Sequence, residues 1–291
     1  MKKINIFCFG FGQVAKNFIK KINTEKFSIN LSVTTREQSK AKQFNEIKYN
    51  NFIFNDEIFD NGLIENLKNS DHILISIPPI NGKDIVIKYF GEVIKQCNPK
   101  WITYLSATSV YGDHKGEWVN EESETNPKST SGIGRLEAEK SWITFTANSK
   151  LPFQIFRLSG IYSNQKNILA RLKSGNVNLI NKKNQFFSRI HVEDIANVLF
   201  KSLSNFKTGE IYNISDDKPA SMEEVTLYGV KLLNVDIPKI IEVKDIDSEM
   251  LKSFYKDSKK VSNKKMKSFF DYKLKFPTYV EGLNYIRNNL V

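Results

Sequence analysis

Short apolar runs recur along the first two thirds of the chain, and each is bounded by polar or turn-forming residues. Compact runs of this kind are typical of strands that are buried on both faces of a parallel sheet. The pattern predicts strands at residues 4–9, 29–33, 52–54, 73–77, 101–105, 153–158 and 210–214. Between them, apolar residues at helical spacing predict helices at residues 13–21, 63–67, 85–94, 132–147 and 194–203.

Strands that alternate with helices form right-handed βαβ crossovers, which build a doubly wound parallel sheet. The sequence therefore predicts an α/β protein with a Rossmann domain at residues 1–162, to which residues 191–214 return. Residues 163–291 are predicted to form mainly a smaller C-terminal, substrate-facing lobe. Neither an internal repeat nor a low-complexity linker interrupts the chain.

The first strand leads directly into Gly10-Phe11-Gly12-Gln13-Val14-Ala15, which fits the pattern G-x-G-x-x-G/A. In this motif the first glycine permits the tight turn, and the second lets the backbone approach a pyrophosphate. The third, small residue lets the helix pack on the strand. The N-terminus of the helix offers N–H donors and a positive dipole end to phosphates. The strand before the turn and the helix after it provide the structural context that the motif requires. The turn is therefore predicted to bind a dinucleotide through Gly10, Phe11, Gly12, Gln13 and Val14.

The second strand ends in Thr34-Thr35-Arg36, with no acidic residue at the position where NAD sites hold the ribose 2′-hydroxyl. A guanidinium matches the oxygens of a 2′-phosphate bidentately. Arg36 therefore favours NADP(H) as the cofactor, with NAD as the alternative. Ser76, Ile77 and Pro78, at the end of the 73–77 run, and Ser106 are predicted to lie nearer the nicotinamide half.

The formal net charge is +11, but the excess is spread along the chain as single lysines and lysine pairs. A dispersed charge of this kind indicates a solvated surface, and we expect no nucleic-acid partner. No apolar segment approaches the roughly 20 residues that span a bilayer, so no membrane partner is expected. Two distant cysteines and three scattered histidines form neither a disulfide framework nor a metal site. These features predict a cytoplasmic protein without a metal.

Several later segments resemble motifs of one enzyme superfamily. They are LSATSVYGD at residues 105–113, Glu121 with Pro127, LEAE at 136–139, FRLSGIY at 156–162, RIHVED at 189–194, YNISD at 212–216 and Ser262-Asn263. Together they resemble the extended and atypical branch of the short-chain dehydrogenase/reductase superfamily, the group labelled NAD-dependent epimerase/dehydratase. The likeness runs from residue 4 to about residue 282, and it implies a superfamily but not a substrate.

The resemblance implies a catalytic Tyr, a Lys four residues later and an upstream Ser or Thr, and this chain departs from all three. Ser131 stands at the Tyr position, Arg135 at the Lys position, and Ala107 at the hydroxyl position between Ser106 and Thr108. Serine is a poor base without an activating neighbour, and arginine cannot shuttle a proton. Ser106, Thr108, Ser131 or Tyr111 is expected to hydrogen-bond a reacting oxygen, and Arg135 to support the cofactor ribose. Asp113, His114 or Tyr162 is expected to exchange the proton.

Two functions follow from this pattern. The first is an NAD(P)-dependent oxidoreductase or epimerase/dehydratase-like enzyme with a degenerate Tyr-Lys site, acting on a small polar metabolite such as a sugar or nucleotide-sugar. The second is an NADP-binding redox sensor or partner subunit without turnover. Both functions require a bound cofactor, because the cofactor and not the protein carries the hydride chemistry. Both therefore use the same binding turn. The oligomeric state stays open, with a homodimer among the candidates.

Overall fold

The apolar runs form the strands of a computed structural model that describes residues 3–37, 43–182, 184–248, 252 and 255–289. The strands are β1 (Ile4–Phe9), β2 (Ile29–Thr35), β3 (Gln43–Phe44), β4 (Ile47–Ile53), β5 (His72–Ile75), β6 (Trp101–Ala107), β7 (Trp118–Val119), β8 (Phe153–Leu158), β9 (Gly160–Tyr162), β10 (Leu179–Asn181), β11 (Arg189–His191), β12 (Glu210–Ile214), β13 (Ile240–Glu242) and β14 (Lys260–Val261). The helices are α1 (Gln13–Thr24), α2 (Gly62–Lys68), α3 (Ile85–Gln96), α4 (Thr130–Ser149), α5 (Ile168–Lys173), α6 (Val192–Ser202), α7 (Met222–Leu233), α8 (Lys264–Phe270) and α9 (Tyr279–Asn288). Short 3₁₀ turns cover Thr108–Tyr111 and Val243–Asp245.

Eight strands form the main sheet in the order β12-β8-β6-β5-β1-β2-β4-β3. β1 pairs in parallel with β2 on one edge and with β5 on the other. The chain therefore builds one side of the sheet from β1 to β4 and then crosses back to β5. This reversal is the topological switch point at which doubly wound folds bind their ligands. The predicted fold class, a doubly wound and mostly parallel Rossmann sheet, is confirmed.

The chain divides into two compact units by its internal contacts. Unit 1 comprises Met1–Ala107, Thr130–Arg157 and Ile195–Tyr212, and unit 2 comprises Thr108–Ser129, Leu158–Asp194 and Asn213–Val291. The segment after β6 thus lies in unit 2, although it follows the sheet directly in the chain.

Unit 1 is organised by strands whose side chains are buried on both faces of the sheet. Its apolar core includes Phe7, Phe9 and Tyr104 from the sheet and Phe90 and Trp142 from the helices that cover it. α1 packs through an apolar stripe at helical spacing, which consists of Val14, Ala15, Phe18, Ile19 and Ile22. Burial of these faces explains why the apolar periodicity predicted the elements correctly.

The predicted range of the third long strand was too short by five residues at its start. We expected residues 52–54, and the structure shows β4 over Ile47–Ile53, with β3 paired to it in antiparallel fashion. β4 lies toward the edge of the sheet, so exposed and half-buried residues alternate along it. Lys48, Asn50 and Asn51 are polar, so no continuous apolar run extends over this part of the strand. The prediction relied on such runs and therefore missed residues 47–51.

Unit 2 contains three two-stranded parallel sheets, β9 with β11, β7 with β14 and β10 with β13. Asp194 connects the start of α6 to a later loop. Its carboxylate accepts hydrogen bonds from the Tyr272 hydroxyl (2.6 Å), the Lys275 amide (2.7 Å) and the Phe276 amide (3.1 Å). The acidic residue of the RIHVED segment therefore has a structural role.

None of the helices described is long and apolar enough to cross a bilayer. Within the same described part of the chain, no three His, Cys, Asp or Glu side chains are grouped so that they could hold a metal ion.

A buried ion pair joins α4 to β8 inside unit 1. Arg157 Nη2 lies 2.7 Å from Glu139 Oε2, and its Nε lies 3.1 Å from Oε1. The two side chains are only 5% and 1% exposed. Because neither charge reaches water, each depends on the other for its stabilisation.

Removal of one member of this pair is therefore expected to lower the free energy of unfolding much more than removal of a surface charge does. Glu139→Gln removes the carboxylate charge that the buried guanidinium contacts and should lower the free energy of unfolding by about 3–5 kcal/mol. Glu137→Gln, on the exposed side of the same helix, breaks only the surface pair with Lys140 and should cost less than about 1 kcal/mol. Urea unfolding of both variants measures the difference, and equal losses would contradict this account.

Candidate cofactor and active site

Gly10 ends β1 with a backbone conformation that residues with side chains rarely adopt, at φ +90°. A Cβ at this position would lie 2.7 Å from Ile77 Cγ2 and 2.8 Å from Ser76 Oγ. The Gly10 amide donates to Thr34 Oγ1 at 2.8 Å, and Ser76 Oγ donates to the Phe9 and Gly10 carbonyls at 3.0 Å. The turn is thus fixed by β2 on one side and by the residues after β5 on the other.

Gly12 has the opposite surroundings. It is the N-cap residue of α1 and is exposed, and a Cβ built on it would meet no atom within 4 Å. The glycine is therefore not required by packing within the protein. Open space at a helix N-terminus, with no side chain to cap the first N–H groups, is what a phosphate needs in order to approach the backbone.

The remaining residues of the turn have distinct places. Val14 and Ala15 are buried against the sheet, and Phe11 is half-buried and packs on Tyr49 with ring centroids 5.2 Å apart. Gln13 opens α1 and is half-buried. Pro78 follows Ile77 in the loop that leaves β5. The structure therefore brings Gly10, Ser76 and Ile77 into contact, as the predicted cofactor site requires.

Arg36 lies in the bend directly after β2 and is exposed. The bend is shaped by Thr35, whose hydroxyl lies 2.7 Å from the Glu37 carbonyl and 3.1 Å from Asn51 Oδ1. Among the residues that the structure describes, none forms a hydrogen bond or ion pair with the Arg36 guanidinium. The side chain is therefore free to meet a ligand at the end of β2.

Ser106 lies at the carboxyl end of β6 and is only 3% exposed. Its hydroxyl is buried without a hydrogen-bond partner in the described structure. An unsatisfied buried hydroxyl costs free energy unless a ligand or a water completes it. Together with the strained Gly10 and the open Gly12, this orphan hydroxyl shows that the residues present fit a dinucleotide.

Arg135 is half-buried on α4 and is anchored to the neighbouring strand. Its Nη1 donates to the Leu105 carbonyl at 2.8 Å and contacts the Tyr104 hydroxyl at 3.2 Å. Burial raises the pKa of Tyr104 above its ordinary range, so this phenol stays protonated. Arg135 therefore holds a fixed positive charge beside the end of β6, and its other N–H groups have no partner among the described residues.

Sequence reasoning missed three contributors to this arrangement. Tyr104 and the Leu105 carbonyl orient Arg135, and Gly134 lets the loop after β5 approach the helix. A Cβ at Gly134 would lie 3.4 Å from Gly82 Cα and 3.7 Å from Pro79 Cγ. The only signal in the sequence was a glycine inside a helix, directly before the residue at the family's Lys position. Ser131 is exposed in the first turn of the same helix.

Thr108 and Tyr111 belong to unit 2, where they begin and end a 3₁₀ turn. Thr108 is half-buried, whereas Tyr111 is fully buried and donates to Asn213 Oδ1 at 2.7 Å. The bond to Asn213 competes with the hydrogen bond to a substrate that we predicted for Tyr111. The catalytic roles of both residues remain predictions.

The three expected proton carriers have different surroundings within unit 2. Asp113 Oδ1 accepts from the Ser258 amide at 2.8 Å and the Lys115 amide at 3.1 Å. His114 Nε2 lies 3.2 Å from the carbonyls of Tyr111 and Glu124. Burial raises the pKa of Tyr162 far above its ordinary range, which makes it a weak proton donor. Each of these residues therefore already has a structural role or an unfavourable pKa.

Comparisons with known proteins agree with this architecture. Residues 89–215 match the model of the NAD dependent epimerase/dehydratase family. The structure of a functionally unknown conserved protein from Silicibacter pomeroyi DSS is 31% identical, covers 98% of both chains and superimposes with a TM-score of 0.88. A search of curated proteins found no significant match.

Two more distant structures share the fold. UDP-glucuronic acid 4-epimerase from Bacillus cereus, in complex with NAD, is 15% identical over 98% of this chain and 99% of its own, with a TM-score of 0.76. The dTDP-glucose 4,6-dehydratase from Bacillus anthracis str. Ames, in complex with NAD, is 18% identical over 98% of this chain and 96% of its own, with a TM-score of 0.78.

These findings define a protein with a Rossmann-type fold. The chain belongs to the NAD dependent epimerase/dehydratase family, as its sequence motifs indicated.

The two glycines of the turn are expected to fail in different ways when replaced by alanine. Gly12→Ala should change the free energy of unfolding by only a few tenths of a kcal/mol, since no atom contacts its Cβ. It should weaken cofactor binding about 10-fold or more, because the methyl group occupies the space needed by the phosphate.

Gly10→Ala forces a positive φ on alanine and places its Cβ against Ser76 and Ile77, so it should destabilise the fold by about 1–3 kcal/mol. Thermal unfolding without cofactor, combined with fluorescence titration of the cofactor, separates the two effects. Unimpaired cofactor binding by Gly12→Ala would show that this turn does not hold the phosphates.

Proposed function

We propose that the protein is an NAD(P)-dependent oxidoreductase or epimerase/dehydratase-like enzyme that acts on a small polar metabolite. The observation that carries this proposal is the pair of glycines at the switch point, one fixed by packing and one open to solvent. Two structural neighbours were solved with NAD, and their names identify sugar nucleotides as their substrates. These neighbours support a nicotinamide cofactor and a sugar or nucleotide-sugar substrate for this chain.

The proposed cofactor is NADP(H) rather than NAD(H). The support is local: the residue directly after β2 is an exposed arginine and not a carboxylate, and this arginine has no partner among the described residues. In this fold that position faces the adenosine ribose, where a carboxylate selects the 2′-hydroxyl and a guanidinium selects the 2′-phosphate. Glu37 is also exposed in the same bend and is the residue that would favour NAD.

Arg36→Ala tests this preference. Loss of a charged contact to the 2′-phosphate should cost about 1.5–3 kcal/mol of NADP binding, which is roughly a 10- to 150-fold weaker affinity. The affinity for NAD should change by less than about 2-fold, because NAD lacks that phosphate. Arg171→Ala, an exposed arginine in unit 2, is the matched control. Tighter binding of NAD than of NADP by the unaltered protein would overturn the assignment.

The proposed chemistry uses three residues of unit 1. When bound, a nicotinamide supplies hydride transfer, so the protein needs to position and polarise the substrate. Ser106 at the end of β6 and Ser131 in the first turn of α4 are proposed to hydrogen-bond the reacting oxygen. Arg135, fixed by Leu105, is proposed to hold the cofactor ribose and to stabilise negative charge on that oxygen. The proton itself must come from another group, and slow turnover is expected.

A screen for NADPH oxidation with nucleotide-sugars and small carbonyl compounds tests whether turnover occurs. With an active substrate, Ser131→Ala and Arg135→Met should each lower kcat at least ~10-fold, as expected for contacts made in the transition state. Ser141→Ala, exposed on the same helix and bonded only to the Glu137 carbonyl, should leave kcat unchanged. Unchanged kcat in both site variants, with normal cofactor binding, would place the chemistry elsewhere.

The second candidate function is an NADP-binding redox sensor or partner subunit without turnover. It is favoured by the chain's serine and arginine at the positions where the family has its Tyr and Lys, and by the raised pKa of Tyr104, the phenol nearest Arg135. Tight NADP binding, together with an inactive result across the substrate screen, would select this function.

A further inference from the structure

Unit 1 contains a cavity of about 460 Å³ at the amino ends of its parallel strands, which we name the amino-edge cavity. Part of its lining begins or directly precedes β1, β2, β5 and β6, namely Lys3, Ile4, Ser28, Asp71, His72 and Lys100. The turn after α1 and Leu203, directly after α6, complete the wall. The dinucleotide turn follows the carboxyl end of β1, so the amino-edge cavity lies at the opposite edge of the sheet.

Backbone amides at this edge are already used within the protein. The Ile4 amide donates to the Ser28 carbonyl at 3.0 Å, and the Lys100 amide donates to the Asp71 carbonyl at 2.7 Å. The Asp71 amide donates to the Asn5 carbonyl at 3.0 Å. Side chains are therefore the main groups that remain for recognition of a ligand.

Phe27 supplies an aromatic ring to the wall and is 44% exposed. Its ring contacts Phe200 edge to face, with centroids 5.5 Å apart. Ile4 and Leu203 add further apolar side chains, and most of the lining surface is apolar. A space of this size, with apolar walls and a few polar groups, is typical of a small-molecule site.

His72 adds a polar group to the same wall. Its Nδ1 is buried and has no hydrogen-bond partner in the described structure. Burial lowers the pKa of His72 to about 4, so the imidazole is neutral near pH 7 and has one donor and one acceptor nitrogen. A polar side chain that is largely removed from water and lacks a partner favours a ligand with a hydrogen-bonding heteroatom.

The turn after α1 places Lys26 beside Phe27. The Phe27 amide donates to the Ile22 carbonyl at 3.3 Å, and the Lys26 amide donates to the Asn23 carbonyl at 2.9 Å. These two bonds form a Schellman motif, which holds Lys26 at φ +58°. Glycine adopts this conformation with less strain, so the turn itself does not require a lysine.

The lining carries more positive than negative charge. Glu25 forms an ion pair with a lysine of α1, and Asp71 pairs with Lys100 at 3.7 Å. Among the residues that the structure describes, no carboxylate lies within ion-pair distance of Lys3 or Lys26. The C-terminus of α1 adds only a partial negative charge. Two full positive charges are therefore left at the cavity for an anionic group.

We infer that the amino-edge cavity binds a small heteroaromatic anion. Its ring lies against Phe27 and hydrogen-bonds His72, and its anionic group pairs with Lys3 and Lys26. The inference joins the exposed aromatic ring, the imidazole without a partner and the unpaired lysines in one site. It concerns the edge of unit 1 away from the dinucleotide turn and does not depend on the proposed reaction or cofactor.

Isothermal titration of the full chain tests the inference with three bicyclic probes of nearly equal size. They are quinoline-3-carboxylate, the neutral quinoline-3-carboxamide, and 2-naphthoate, which lacks the ring nitrogen. The quinoline carboxylate should bind about 5-fold or more tightly than the carboxamide, because only the anion pairs with the lysines. It should bind about 3-fold or more tightly than 2-naphthoate, because one hydrogen bond is lost. Equal affinities across the set, or no binding at millimolar concentration, would overturn the inference.

Phe27→Ala locates the site. Binding of quinoline-3-carboxylate should weaken about 10-fold, because the ring contact and its buried apolar area are lost. Ile58→Ala is the matched control, since it removes an exposed apolar side chain that does not line the cavity, and it should leave the affinity unchanged. An unchanged affinity in Phe27→Ala would show that the probe binds elsewhere.

Lys26→Gly separates binding from folding. Glycine suits the turn, so the thermal unfolding temperature should not fall, whereas affinity for quinoline-3-carboxylate should weaken about 3-fold or more. Lys150 is exposed in the same kind of turn after α4, at φ +53°, and does not line the cavity. Lys150→Gly should leave the affinity unchanged. An equal loss of binding in both variants, or in neither, would overturn the inference. NADP titration of the same variants reports on the cofactor site independently.

Discussion

β1 is hydrogen-bonded on both edges and buried on both faces, and the main sheet depends on this position. Its register with β2 and β5 brings Thr34 and Ser76 to the two sides of the turn that follows it. With the turn held from both sides, Gly10 has no room for a side chain and must adopt a positive φ. The packing of the sheet thus decides where the backbone opens toward a ligand, and Gly12 is placed at that opening.

At the end of β6 a positive charge is held in a fixed position. Ser131 and Arg135 stand at the positions that we predicted for the family's Tyr and Lys, and the Arg135 cation is held by a strand carbonyl. A guanidinium has several donors, so it can be anchored through one nitrogen and still present others. The arrangement places a positive charge beside the end of β6, where the buried Ser106 hydroxyl has no hydrogen-bond partner among the described residues.

Two buried arginines differ in the groups that accept their hydrogen bonds. Arg157 forms an ion pair with Glu139 within unit 1, and this pair attaches α4 to β8. Arg189 is oriented by carbonyls in unit 2, and its charge lacks a carboxylate within ion-pair distance among the described residues. The sequence shows two similar arginines on short strands, and only their neighbours separate the two roles.

The sequence by itself determined the sheet, the helices that cover it and the dinucleotide turn, because these depend on local periodicity and on the spacing of Gly10, Gly12 and Ala15. Polar residues on the half-exposed β4 concealed its length, since its alternation reflects a sheet edge that the sequence does not show. Only the tertiary structure decided that Tyr111 bonds Asn213 and that, among the described residues, the Ser106 hydroxyl has no hydrogen-bond partner and no carboxylate lies within ion-pair distance of Arg189. Hydrogen bonding and charge compensation depend on residues that are distant in the chain, so no local pattern could reveal them.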